Sequence, residues 1–279
     1  MDRKTSDTAV VTASLRALGC YEDDGNVRCR DQMAELFLPD DKREQLKNSD
    51  VRNIIKKMIP EGLYEYVLAR TGYFDDLFVT SLKEGIPQIV ILGAGYDSRP
   101  YRFAEFIQHT SIYEVDAFAT QEQKQSVLEN SEISVHKDVR YVAIDFEQDD
   151  LMQALSSNGF DSALQTLFLW EGVTFYLHPN TVRGVLQSLR SNSAAHSLMC
   201  FDFQTVENGR GLIDTGLKDE AIRFGIEAGT AGRYLEELNY KVLEHVGSEE
   251  LQKRYLTRSN GTVLGQIKAI MNIVKAEMV

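Results

Sequence analysis

The sequence predicts an α/β fold built on a doubly wound, mostly parallel sheet, and three observations carry that reading. Ile89-Val90-Ile91-Leu92 is apolar at consecutive positions, as a strand buried on both faces must be, and it ends at once in Gly93-Ala94-Gly95. A second strand-like run, Ile112-Tyr113-Glu114-Val115, ends in Asp116, about 20 residues beyond the glycines. From Pro87 onward, strand-like and helix-like segments alternate in the order of βαβ units.

The first third reads as helical. Thr8 to Leu18 places Ala9, Val10, Ala13, Leu15 and Leu18 at mainly helical spacing, with Asp7 or Thr5 as cap and Gly19 as stop. A short helix is expected from Asp31 to Phe37. A longer one, capped at Pro39-Asp40-Asp41, is expected to run to Pro60, and a fourth from Glu61 through Leu82, with a break at Gly72.

The alternating part follows. Strands are expected at Gln88 to Leu92, Ile112 to Asp116, Val139 to Ile144, Ser162 to Trp170 and Ser197 to Phe203. Helices are expected between them, through Phe103 and Phe106, Val127 and Leu128, Leu151 and Leu155, and Asn180 to Leu189. Gln204 to Gly216, rich in glycine and polar residues, reads as an insertion, followed by helices around Ala221 and at Tyr234 to Leu238. A strand is expected at Lys241 to His245, and Ile270 to Val279 alternates apolar and charged residues as a terminal edge strand would. The expected organisation is a helical cover over residues 1–86, within the same domain as a core over 87–279 that carries an insertion near 204–232.

Composition narrows the function. The 279 residues suffice for a sizeable core, and a net charge of −12 argues against a general nucleic-acid or anionic-membrane surface, which needs clustered Lys and Arg. Cys20, Cys29 and Cys200 show neither metal-type nor redox spacing. With no secretory signal or transmembrane span in the pattern, a cytoplasmic protein is expected.

The glycine loop marks a cofactor site. Glycines let the backbone turn sharply and let a ligand approach the end of a strand, where open α/β sheets bind cofactors. Ser98 stands where the dinucleotide fingerprint has its third glycine, which disfavours a pyrophosphate. Asp116 stands at the spacing of a ribose-binding carboxylate. Together these point to an adenosine-containing cofactor without pyrophosphate, and S-adenosylmethionine is the candidate.

Carboxylates also sit within or after the later strands, at Asp145, Glu171 and Asp202. Asp116 suits ribose hydroxyls and Asp145 the adenine amino group, with Phe146 against the ring, while Glu171 suits the methionine ammonium. Alternatively Asp145 caps the following helix and Glu171 caps the turn at Gly172.

At these residues the chain resembles the leucine carboxyl methyltransferase-like family of S-adenosylmethionine-dependent O-methyltransferases, which includes polyketide O-methyltransferases of the tetracenomycin type. The resemblance covers nearly the whole chain. It rests on Ser6-Asp7-Thr8-Ala9 with Arg16-Ala17, Ala69-Arg70-Thr71, Ile91 to Arg99 with Tyr101-Arg102, and Glu114-Val115-Asp116 with Lys124. It continues through Ile144-Asp145-Phe146, Glu171 to Leu177, and Phe224-Gly225-Ile226 before Tyr234-Leu235.

The resemblance implies a Rossmann-like class I methyltransferase with a seven-stranded sheet and no metal. It implies that Arg70 pairs with the methionine carboxylate, and Gly93, Asp116, Asp145 and Glu171 match the family's cofactor-binding positions; Ala94, Gly95, Asp97 and Phe146 complete the expected cofactor site. Arg99 and Arg102 then pair with acids beneath it. On this reading Asp116→Ala and Arg70→Ala each weaken cofactor binding more than they lower the melting temperature.

No substrate signature is visible. The expected acceptor is a carboxylate or hydroxyl of a small molecule, with a protein C-terminus or a non-catalytic cofactor-binding role as alternatives. A carboxylate is ionised at pH 7 and needs no base. A phenol would gain from one, and His178 is the best-placed histidine by sequence, with Tyr176 a candidate for lining the acceptor pocket.

Overall fold

The described residues open with helices and pass into an alternating sheet. In the computed structural model the described residues are 7–207, 222–268 and 270–279. They open with α1 (Asp7–Gly19), a 3₁₀ turn at Gln32–Phe37, α2 (Asp40–Lys47), α3 (Ser49–Met58) and α4 (Leu63–Lys83).

Two expectations in this region are corrected. The single helix from Asp40 to Pro60 is two helices, because Asn48 adopts an extended conformation and its side chain accepts from the Asp50 and Val51 N–H groups, starting α3 afresh. The helix across Gly72 is unbroken. Gly72 is there for space: a Cβ would lie 2.6 Å from Cδ1 of Tyr255.

The sheet follows: β1 (Gln88–Leu92), α5 (Arg99–Arg102), β2 (Ser111–Asp116), α6 (Phe118–Asn130), β3 (Val139–Ala143), α7 (Leu151–Ser157), β4 (Thr166–Trp170), α8 (Pro179–Ser191) and β5 (Leu198–Val206). After residues 208–221 come β6 (Ile226–Glu227), α9 (Ala231–Glu236), β7 (Tyr240–Gly247), α10 (Ser248–Tyr255) and β8 (Met271–Met278). The helix expected around Phe103 and Phe106 is the one-turn α5 and a 3₁₀ turn at Ala104–Phe106. β5 absorbs Gln204 to Val206 of the expected insertion; the helix expected at Ala221, and most of the insertion, lie outside the described residues.

The strand order is β3-β2-β1-β4-β5-β8-β7, with the short β6 pairing β5 off this path, so the described residues form eight strands rather than the expected seven. β1 pairs in parallel with β2 on one side and β4 on the other. That reversal opens a crevice at the carboxyl ends of β1 and β4, where doubly wound sheets bind ligands.

The C-terminal strand is not at the edge: β8 lies antiparallel between β5 and β7. Ile273, Val274, Ala276 and Met278 are fully buried, and the charged residues that gave the edge-like pattern, Lys275 and Glu277, are half-buried and reach Glu244 and His196.

Apolar residues cover both faces. One cluster joins Leu15 and Leu18 of α1 and Tyr66, Phe74 and Phe78 of α4 to Ile89, Ile91 and Ile112. The other joins Val90, Leu92 and Val115 to Leu155, Leu186 and Leu235 of α7, α8 and α9. Alternate residues of β1 feed opposite cores, which is why the strand reads as an unbroken apolar run. Among the described residues no helix is long and apolar enough to cross a membrane.

Candidate cofactor site

The glycine loop after β1 is held in a shape that side chains resist. Gly93 has φ +66° and Gly95 φ +44°, and a Cβ on Gly93 would lie 2.4 Å from Cγ2 of Val173. Gly93→Ala is therefore expected to cost about 2–3 kcal/mol, from the left-handed backbone and the displaced valine together. Thermal unfolding checks this, and an unchanged melting temperature would contradict it.

Asp116, at the end of β2, clamps the loop. Its Oδ2 accepts from the Gly95 N–H at 2.6 Å, and its Oδ1 from the Ala117 N–H at 2.7 Å. Burial raises its carboxyl above the ordinary value, against the pull of those two donors. The Thr120 hydroxyl also bonds to this carboxylate, and of its roughly four acceptor sites capacity remains for a ligand hydroxyl.

Above the loop lies a cavity of about 1660 Å³. Every residue the sequence assigned to cofactor binding lines it: Arg70, Gly93, Ala94, Gly95, Asp97, Asp116, Asp145, Phe146 and Glu171. Tyr176 lines it as well. His178 does not: it is exposed at the N-cap of α8, with Nε2 3.1 Å from Nη1 of Arg223, so the structure does not bring the expected base to the cavity. His178→Ala is expected to change cofactor affinity by less than about 0.5 kcal/mol, as surface substitutions do. A larger loss by calorimetry would contradict that placement.

A continuous belt of ion pairs lines and underlies the cavity. Arg70 is buried, with Nε 2.9 Å from Oε1 of Glu171 and Nη1 3.0 Å from Oδ2 of Asp202. Arg99 reaches Oε2 of Glu171 at 2.7 Å and Oδ2 of Asp97 at 2.8 Å. Asp75 holds Arg99 and Arg102, and Asp31 holds Arg16, with Ser98 donating to its other oxygen at 2.6 Å. Arg16 Nη2 donates to the Tyr96 carbonyl at 2.7 Å, tying α1 to the loop.

Arg99 and Arg102 thus form ion pairs with acids, as expected, but both arginines, with Asp97 and Glu171, line the cavity and of their partners only Asp75 lies behind it. Burial opposes the charge on Arg70, and Asp202 and Glu171 more than restore it, so its guanidinium is held protonated. Burial raises the Asp202 carboxyl despite its pairing with Arg70.

Asp31 supplies a pH test. Burial alone would raise its carboxyl, but Arg16, Arg102 and Ser98 outweigh burial and hold it below the ordinary value. A folded pKa below the unfolded one gives stability that is present above about pH 4 and lost as pH falls through the folded value. The melting temperature should therefore fall more steeply below about pH 4 in the native protein than in Asp31→Asn. Equal slopes would contradict this.

The end of the cavity at Asp145 is built differently. Asp145 is exposed, and its oxygens accept from the Glu147 N–H and from Nε2 of Gln148, both at 2.9 Å, which makes it the hinge of a turn as well as a wall of the cavity. Phe146 stacks on Trp170 with ring centroids 6.1 Å apart.

Sequence reasoning did not assign Thr8, Thr12, Arg16 and Asp31 to the wall, and they come from the helical cover. The pairing of Arg16 with Asp31 bridges 15 positions, a separation at which no local periodicity signals contact. Among the described residues, no group of three or more His, Cys, Asp or Glu is arranged to hold a metal ion.

The strand order, with β8 running antiparallel between β5 and β7, and the glycine loop facing an acid at the end of β2, define a Rossmann-like class I methyltransferase fold. A family model described as leucine carboxyl methyltransferase matches residues 9–190, and the chain belongs to that family.

Two relatives provisionally named S-adenosyl-L-methionine-dependent methyltransferases extend the match. One from Streptomyces coelicolor is 32% identical over 204 residues, covering 69% of this chain and 66% of the relative. One from Streptomyces avermitilis is 30% identical over 233 residues, covering 79% of this chain and 72% of the relative.

Among solved structures, an O-methyltransferase family protein from Burkholderia thailandensis shares the fold with a TM-score of 0.50 at 8% identity, over 88% of this chain and 62% of that one. The cofactor is S-adenosylmethionine, and the glycine loop and Asp116 fit it.

Proposed function

We propose that this protein is an O-methyltransferase that carries the methyl group of S-adenosylmethionine to a carboxylate or hydroxyl of a small molecule, with polyketide-type natural products as the candidate class. The observation that carries this reading is the cavity of about 1660 Å³ over the glycine loop. It exceeds the roughly 300–1,000 Å³ of a typical small-ligand site, so it has room for a donor and an acceptor together.

S-adenosylmethionine supplies an electrophilic methyl group for in-line displacement. In this reading Asp116 accepts from the ribose hydroxyls, Asp145 from the adenine amino group, and Phe146 packs against the ring. Arg70 binds the methionine carboxylate and Glu171 receives the ammonium, at oxygens that Arg70 and Arg99 hold in place. The helices of residues 1–86 act as a cover on the 87–279 core. Through Thr8, Ala9 and Thr12 of α1 the cover excludes water from the reacting atoms. The protein's contribution is alignment and dryness; a carboxylate acceptor is already ionised at pH 7.

Transfer of tritium from methyl-labelled S-adenosylmethionine tests the proposal, with aryl carboxylates, phenols, and peptides bearing free or amidated C-termini as acceptors. The expected label is in small molecules, base-labile as an ester or base-stable as an ether. Labelling of free-C-terminus peptides alone would establish protein carboxyl methylation instead. Cofactor binding without transfer to any acceptor would favour a non-catalytic role.

A further inference from the structure

We propose that Asp75 is a positioning residue for the amino-acid end of the cofactor site, acting through Arg99 on Glu171. The inference rests on the reading above in which Glu171 receives the methionine ammonium. Asp75 lies on α4, is 8% exposed, and does not line the cavity.

Its Oδ1 accepts from Nε of Arg99 and Nη2 of Arg102, both at 2.8 Å, and its Oδ2 accepts from Nη1 of Arg102 at 2.9 Å. A guanidinium is a rigid plane, so fixing Nε fixes the direction of the other nitrogens. In Arg99 that direction carries Nη1 to 2.7 Å from Oε2 of Glu171 and 2.8 Å from Oδ2 of Asp97.

Glu171 is thereby gripped at both oxygens, by Arg70 from one side and Arg99 from the other. Removing Asp75 leaves Arg70's grip in place and takes the acceptor from Nε of Arg99, whose plane is then held only by Asp97 at Nη1 and by the longer bond from Nη2 to the Thr71 carbonyl at 3.3 Å. The Glu171 oxygen that faces Arg99 is then less firmly oriented than the one that faces Arg70. Asp75 is itself held from the cover side, because Arg102 also reaches Oδ1 of Asp31 at 3.3 Å and Oγ of Ser98 at 2.7 Å.

The test is a double-substitution cycle on binding of S-adenosylhomocysteine, measured by calorimetry in the whole protein, with melting temperatures recorded alongside. Asp75→Asn and Glu171→Gln are each expected to weaken binding about tenfold, and the double variant no more than about threefold beyond the weaker single, because both act at one carboxylate. Losses that multiply, to about a hundredfold in the double variant, would show that Asp75 acts independently of Glu171 and would overturn the proposal, as would an unchanged affinity in Asp75→Asn. An unchanged affinity in Glu171→Gln would remove Glu171 as a cofactor ligand, and the proposal with it. If Asp75→Asn does not fold, Asp75→Asn with Arg102→Met removes the cation left without its partner, and the same cycle is read on that background.

Discussion

Replacing Arg70 by methionine is expected to cost both stability and cofactor, and the two losses have separate origins. The guanidinium is buried between Glu171 and Asp202, and Asp202 also accepts from the Tyr66 hydroxyl at 2.6 Å and the Gly172 N–H at 2.7 Å. Removing one partner from such a cluster leaves uncompensated buried charge, worth about 3–5 kcal/mol. In a chain of this size that corresponds to a melting temperature lower by about 10 °C.

On the proposed reading the cofactor loses the same cation. An affinity decrease of about a hundredfold is expected, from the 2–5 kcal/mol typical of truncating a buried charge pair. Sequence alone predicted a loss of affinity larger than the loss of stability; the burial of Arg70 changes that expectation to two comparable losses. Calorimetry and thermal unfolding on the same preparation read both, and a variant that melts normally would contradict the belt.

Asp116→Asn is expected to separate the two quantities. The amide keeps one acceptor oxygen for the Gly95 or Ala117 N–H, turns an NH₂ toward the other, and loses the charge that would bind ribose hydroxyls. Two hydrogen bonds to an ionised acceptor, at about 1.5–3 kcal/mol each, predict an affinity loss of about a hundredfold or more.

Stability should move far less. Burial already works against the ionised form of Asp116, so removing the charge relieves one cost as it breaks one hydrogen bond. A melting temperature within a few degrees of the native protein, with affinity nearly lost, is the expected pattern. Native affinity in Asp116→Asn would place the ribose elsewhere.

What the sequence revealed was the part of the site written locally. β1 is buried on both faces and so reads as an apolar run, the glycines after it adopt positive φ, and Asp116 follows at the end of the next strand. Such features need no knowledge of distant partners.

What stayed hidden depends on partners far along the chain. Nothing local distinguishes β8 from an edge strand, since its half-buried Lys275 and Glu277 reach residues on other segments. Nothing local shows that Arg70 meets Asp202 across 132 positions, or that the loop after β1 is tied to α1 through the Tyr96 carbonyl. The break at Asn48 was legible in principle, because an asparagine followed by Ser49-Asp50 can start a helix. The apolar periodicity running through Ile54 and Ile55 masked it. His178 failed for another reason: chain proximity to Tyr176 does not carry it past the turn at Leu177, where the backbone leaves the cavity for α8.

The account turns on one cofactor seated over the glycine loop. Titration of the native protein with S-adenosylhomocysteine in a calorimeter tests it most directly, with Asp116→Asn as the paired sample. Binding of one molecule per chain in the native protein, lost in Asp116→Asn at an almost unchanged melting temperature, is the predicted result. No binding by the folded native protein, or equal binding by both, would contradict it.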